Sequence, residues 1–360
     1  AVMAPPRMEA SSAAPARPRR SRGELRDSVA GYALIALLLL MPVLYGIKDL
    51  SDDGDLTRLA TNIKDGLSNG AILALIAIGY TLVYGIIELI NFAHGDVFML
   101  GTFVTYGFFG TLGLTAATGA FGTFFGILIT LIVAMAAMGT LNVMIERVAY
   151  RPLRGAPKLA PLITAIGFSF ILQNIGLLWL GGEHRSVPDV IESQHHLFTI
   201  GGVVFFNGDI LAAVVTIPLV IVLVNFISRS RAGRAMRATA QDPEAARLQG
   251  INVDTTIGLT FLLGGMMAGA AGLVYGLYQT DAWFFQGFQS GLLAFTAAVL
   301  GGIGNLKGAV AGGLIIGVIQ QLSDNRIETK WTPAIVFAYL ILILVFRPQG
   351  LFGEKGREAG

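Results

Sequence analysis

Ten apolar stretches recur along this chain, at 29–47, 67–90, 97–114, 121–145, 159–180, 210–227, 257–278, 292–303, 310–322 and 333–346. Nothing constrains the fold more. In hydrocarbon every backbone N–H and C=O must find its partner within the protein, so only helices and closed barrels span a bilayer. Runs near ~20 residues fit a helix, whereas a barrel strand needs about 9–11. The expected fold is an all-α polytopic membrane protein with about 8–10 transmembrane helices. The stretches at 292–303 and 310–322 are short and Gly-rich, so they read as two short crossings or a re-entrant hairpin. Composition agrees, because only 13% of residues are charged, against about 25% in soluble domains.

Residues 1–28 are rich in Pro, Ala and Arg without apolar periodicity and read as a disordered tail. Arg17, Arg19, Arg20, Arg22 and Arg26 precede the stretch 29–47. That stretch is long for a signal peptide and lacks a small-x-small cleavage site, so it reads as an N-terminal anchor. Orientation follows from basic residues in the loops. Arg147, Arg151, Arg154 and Lys158 mark 146–158, and Arg229, Arg231, Arg234, Arg237 and Arg247 mark 228–256. Both loops are expected in the cytoplasm, as are the N-terminal tail and the C-terminal tail 348–360. The transmembrane domain covers 66–347, and the acidic or mixed loops 48–65 and 181–209 are expected on the opposite side of the membrane from the cytoplasm.

Several function classes drop out. The chain has no cysteine, which removes disulfides, thiolate metal sites and Cys nucleophiles. Four histidines leave little for a metal centre, and a net charge of +2 does not suggest nucleic acid. The stretch Gly301-Gly302-Ile303-Gly304-Asn305-Leu306-Lys307-Gly308 lacks the Lys-Ser/Thr ending of a phosphate loop. Neither a Gly-x-Ser-x-Gly elbow nor a His-Glu-x-x-His helix is present. No catalytic residue and no metal ligand is expected, and the chain reads as a non-enzyme.

One polar segment interrupts the apolar runs. Ile90-Asn91-Phe92-Ala93-His94-Gly95-Asp96 follows directly on Glu88 and the run ending at Ile87. Such a break survives in lipid only inside protein or beside water, and transporters place substrate sites there. Asn91, His94 and Asp96 are therefore candidates for a substrate pathway, with an ordinary inner-side turn as the alternative. Gln173 and Asn174 form a second polar pair inside an apolar span, either pathway residues or an interhelical hydrogen-bond pair. Gly265, Gly269, Gly272 and Gly276 share one helical face, which serves a sliding or a static packing seam. Leu82-Val83-Tyr84-Gly85 recurs as Leu273-Val274-Tyr275-Gly276 on a helix of opposite expected direction, as an inverted repeat would. In the loop 228–256, Asp242-Pro243-Glu244 is a helix start and Gly250 a helix stop. Ala245, Ala246, Leu248 and Ile251 give that short helix an apolar stripe, suited to a bilayer surface or to a partner's groove.

Together these blocks resemble the permeases of branched-chain amino-acid ABC transporters. The resemblance rests on 74–87 running into 90–96, and on Ile145-Glu146-Arg147-Val148-Ala149-Tyr150-Arg151-Pro152-Leu153-Arg154. It also rests on 230–238 with Leu248-Gln249-Gly250-Ile251-Asn252, and on 294–304, covering about 69–351 in order. The first ~60 residues lie outside the pattern, and Glu88 falls where the family varies. The resemblance implies the membrane subunit of a high-affinity importer in a bacterial plasma (inner) membrane. An external binding protein would deliver leucine, isoleucine or valine, and a second, related permease would complete the pathway. Two cytoplasmic ATPases would hold the ATP and Mg, leaving this chain without a cofactor. Arg234, Asp242, Glu244, Ala245, Leu248 and Gly250 would then couple it to the ATPase. Import of urea or short amides fits the same resemblance. An ion-coupled carrier working alone would need buried acidic residues on several spans, and only Glu88, Asp96 and Glu146 offer themselves.

Overall fold

A computed structural model describes residues 22–52, 54–157 and 159–353. The order is α1 (Arg22–Asp52), α2 (Thr57–Ile87), α3 (His94–Leu112), α4 (Ala120–Ile145), α5 (Leu159–Leu180), α6 (Asn207–Arg229), α7 (Arg231–Gln241), α8 (Pro243–Leu248), α9 (Val253–Gln279), α10 (Gln286–Gly301), α11 (Leu306–Arg326) and α12 (Thr332–Phe346). A π-helical turn, Glu146–Tyr150, prolongs α4. Two small antiparallel ladders pair β1 (Arg185–Ser186) with β4 (Asp281–Ala282), and β2 (His196–Ile200) with β3 (Val203–Phe206). The chain is an all-α polytopic membrane protein.

Seven helices among the described residues are long and apolar enough to cross a membrane: α2, α4, α5, α6, α9, α11 and α12 with its preceding turn. The expected eight to ten included α3 and α10. α3 has the length of a span, but its first turn carries His94 and Asp96. α10 has 16 residues, short of the ~20 that a crossing takes. α11 is a full span rather than half of a re-entrant hairpin. α1 starts at Arg22, so helix extends into the segment 22–28 that reads as tail, while residues 1–21 and 354–360 lie outside the described residues.

α2–α3–α4 and α9–α10–α11 repeat one design. Each first helix ends on a left-handed residue, Glu88 (φ 51°) or Thr280 (φ 52°), and a short turn leads into the next helix. α2 ends beside the π-helical turn, where the Tyr150 hydroxyl donates to the Ile90 carbonyl at 3.3 Å. α9 begins there, with Arg154 bound to Asp254 at 2.5 Å, so α2 and α9 run in opposite directions. The two Leu-Val-Tyr-Gly copies therefore lie on antiparallel helices, as an inverted repeat requires.

Glycine packs the repeat together. Gly66 and Gly70 of α2 face Gly313 and Gly317 of α11, and a Cβ at Gly66 would sit 2.6 Å from the Val318 Cα. Backbones this close gain dispersion contacts, which matter in lipid because burying apolar surface gains nothing there. The four-glycine face on α9 is not one seam. Gly265 and Gly269 press on the backbone of α4, and Gly272 presses on Gly101 and Thr102 of α3. Gly276 meets only the Thr102 and Val187 side chains, no nearer than 3.4 Å.

Ion pairs fasten the periphery. Asp49 of α1 bonds Arg326 of α11, their side chains only 1% and 6% exposed, and the Tyr45 ring lies 5.4 Å from the guanidinium. Removing one member would strand the other, at a cost of about 3–5 kcal/mol. Lys64 of α2 bonds Asp209 of α6 at 2.6 Å, and Ser68 donates to the same carboxylate at 2.7 Å.

Candidate functional site

The polar break between α2 and α3 lies inside the bundle. α3 starts level with Gly79, about two turns before α2 ends. Gly79 is required there, because the His94 ring occupies the space a Cβ would take. His94 is fully buried, edge-on to the Tyr80 ring with centroids 4.9 Å apart. Neither ring nitrogen makes a hydrogen bond of ordinary geometry.

Two hydrogen-bonded clusters flank His94. Asn91 receives a hydrogen bond from Tyr150 at 3.2 Å and donates to the Asn142 side chain at 3.4 Å. Asn142 in turn donates to the Phe261 carbonyl of α9 at 2.7 Å, so these amides join α4, α9 and the break. On the other side Ser169 of α5 donates to Asp96 at 2.5 Å, and Gln173 donates to Ser169 at 3.0 Å. Asp96 lies in the first turn of α3, where the helix dipole favours a negative charge. Its second oxygen has no partner.

Four of the five pathway candidates, Asn91, His94, Asp96 and Gln173, therefore meet around the start of α3. Asn174 does not. It is exposed on the outer side of α5 and donates back to the Phe170 carbonyl of its own helix. Adjacent residues of a helix point about 100° apart, so Gln173 and Asn174 could not both face inward. Gln173 donates to Ser169, the residue that donates to Asp96 of α3. The void beside the break, bounded by Tyr80, Tyr84, Ile90 and Phe295, measures about 10 Å³, the lower limit for one water. Nothing larger than a water fits that void. A cavity of about 860 Å³ lies elsewhere, an apolar groove between α2, α6 and α11 with Lys64 and Asp209 at its edge.

Sequence reasoning missed Asn142, Tyr150 and Ser169. Asn142 carried a usable signal, since a lone amide in a 26-residue apolar helix needs a partner. Ser169 stands one turn before Gln173, which marks a shared face.

The loop 228–256 folds as α7 and α8. α7 buries Gly233, Met236 and Thr239 and turns Arg231, Arg234 and Arg237 outward. Asp242 caps α8, accepting hydrogen bonds from the backbone of Glu244 at 2.9 Å and of Ala245 at 3.0 Å. Gly250 (φ +81°) ends the segment, and the Asn252 side chain caps α9. Of the apolar stripe, Ala246 packs inward, whereas Leu248 is 91% exposed. A bare leucine on the tip of a capped, tethered helix is an unpartnered apolar knob.

Residues 62–345 match the family described as branched-chain amino acid transport system / permease component. The chain is 41% identical over 298 residues to the high-affinity branched-chain amino acid transport system permease protein BraD of Pseudomonas aeruginosa, covering 82% of this chain and 96% of the relative. It is likewise 41% identical over 299 residues to LivH of Escherichia coli, of the same description, covering 82% and 95%. A more distant relative, the fructose import permease protein FrcC of Rhizobium meliloti, is 30% identical over 205 residues, about half of each chain. The matched region starts within α2, so α1 lies outside it. With its spans, its buried polar break and four-fifths of its length aligned, the chain belongs to the family of branched-chain amino acid transport permease components.

Proposed function

We propose that this chain is the membrane-spanning permease subunit of an ABC importer that moves leucine, isoleucine and valine across a bacterial plasma membrane. The observation that carries the reading is the match, over 82% of this chain and 95–96% of theirs, to relatives named for that transport. A second permease completes the pathway, an external binding protein delivers the substrate, and two cytoplasmic ATPases bind the ATP and Mg. α7 and α8 form the docking segment for the ATPase, with Leu248 as the knob and Arg234, Asp242, Glu244, Ala245 and Gly250 shaping its support. Both termini lie in the cytoplasm, as the arginines around 146–158 and 228–256 favour. The break at 88–93 is the gate, and Asn91, His94, Asp96 and Gln173 are the polar groups it uncovers. Proteoliposomes holding the two permeases and the ATPases should take up labelled leucine only with ATP and the binding protein. Uptake without either would remove the reading.

The chain by itself supplies no nucleotide chemistry. Purified and reconstituted in lipid, it should show no vanadate-sensitive ATP hydrolysis, because it lacks a phosphate loop. Sustained hydrolysis by a preparation free of other ATPases would contradict this.

A further inference from the structure

The family-like block 145–154 has no assigned role, and its side chains make the most heavily charged contact among the described residues. Glu146 opens the π-helical turn and Tyr150 closes it. Arg154 binds Glu146 with one guanidinium nitrogen and Asp254 with the other, the latter at 2.5 Å. Arg151 takes the second oxygen of Asp254, also at 2.5 Å. Glu146 is almost wholly buried, its side chain 2% exposed, while that of Asp254 is 40% exposed.

Two facts make this more than a local staple. Asp254 is the second residue of α9, directly after the segment that joins α8 to α9. That joint is short and tied, with the Ile251 amide donating to the Ala246 carbonyl at 3.0 Å and the Gly250 amide to the Arg247 carbonyl at 2.9 Å. A displacement of α8 therefore reaches the start of α9. At the close of the π-helical turn, Tyr150 shares its one hydroxyl proton between the Ile90 carbonyl at 3.3 Å and the Asn91 Oδ1 at 3.2 Å. The block thus holds the start of α9 through Arg151 and Arg154, and the α2–α3 break through the adjoining Tyr150.

The surroundings leave it room to move. α4 and α9 are locked where Gly139 meets Gly265, but nearer the cytoplasm a cleft of about 370 Å³ opens between Val143, Glu146, Asn252, Asp254 and Leu259. Arg154 bonds Glu146 and Asp254, two of the residues that line it, one from each side. A π-helical turn is a common site of local rearrangement, since it holds one residue more than α-helix would.

We infer that Arg154 and Asp254 are positioning residues which carry the motion of α8 through the π-helical turn to Asn91, an inference that rests on the coupling role proposed for α8. When α8 moves, α9 shifts at its first turn, the fork drags Glu146, and Tyr150 releases or tightens its hold on the break. Substrate touches neither arginine nor Asp254.

The test uses the assembled complex in proteoliposomes and reads leucine uptake per ATP hydrolysed. Coupling between sites in proteins typically amounts to about 5–150-fold. Asp254→Asn should lower uptake per ATP about tenfold with complex yield and ATPase retention unchanged, and Asp254→Glu should restore it. Tyr150→Phe, which keeps the ring and removes the hydroxyl, should give a similar fall. The double variant should be no worse than either single one, because groups in one path are not additive. Unchanged uptake per ATP in both single variants would overturn the proposal, as would two losses that multiply. A loss of uptake that merely follows a loss of complex yield would make the fork a staple and overturn it too. Leu248→Asp serves as the control on the underlying reading. If it transports normally the coupling role of α8 fails, whereas failure of the Asp254 and Tyr150 arms alone leaves that role standing.

Discussion

Leu248→Asp should abolish uptake and strip the ATPase from the purified complex, while the chain still inserts and folds. Leu248 is 91% exposed and is held by the caps at Asp242 and Gly250. Within this chain the substitution removes almost no contact, so its effect on folding should stay within about ±0.5 kcal/mol. In a partner's groove the same carboxylate would be desolvated without a counter-charge, which costs about 2–5 kcal/mol by analogy with truncated interface pairs. That is a loss of roughly 30-fold to several thousand-fold in affinity. Co-purification and uptake measured on the same preparation decide the matter. Normal values of both would make α8 a surface element.

Gly269→Leu should reduce the yield and thermal stability of the complex far more than Gly107→Leu. A Cβ at Gly269 overlaps the Ala134 carbonyl, so even a methyl group must drive α9 away from α4. Overpacking of this kind costs about 1–3 kcal/mol, and a backbone that cannot yield raises it. At Gly107 the nearest atom is Cζ2 of Trp179, 3.9 Å away. Gly276→Ala should be mild, although spacing alone ranks it with Gly269, because its neighbours are side chains at ordinary distance. Equal detergent-extracted yields for the leucine variants at 269 and 107 would remove the case for a backbone seam.

Much of the fold was legible because lipid allows so few solutions. The apolar runs locate α2, α4, α5, α6 and α9 within a few residues at most ends, and Asp242 and Gly250 bracket α8. What was hidden is which face of each span turns inward. A span apolar on every side carries no amphipathic signal, so α2 and α9, the buried centre, resemble α4 and α6 on the rim. Small residues are the better guide, as Gly66, Gly70, Gly265 and Gly269 demonstrate. Asn174 was misplaced because two neighbouring amides look like a unit in sequence yet diverge on a helix. Lys64 was read into an outer loop although it belongs to α2 and pairs with Asp209. The Arg154 fork was invisible because Asp254 lies far along the chain, and loop arginines signal only the side of the membrane.

The seam between α2 and α11 also sets a timetable for synthesis. α2 leaves the ribosome early, yet its glycine face is covered only by a helix that starts about two hundred residues after Ile87. At 5–20 residues per second the nascent chain spends roughly ten to forty seconds with Gly66 and Gly70 turned toward lipid or toward helices that do not belong there. The loops and the four intervening spans α4, α5, α6 and α9 must be laid down before the centre closes. A ribosome that stops before α11 therefore leaves a chain whose innermost helix still shows its glycine face.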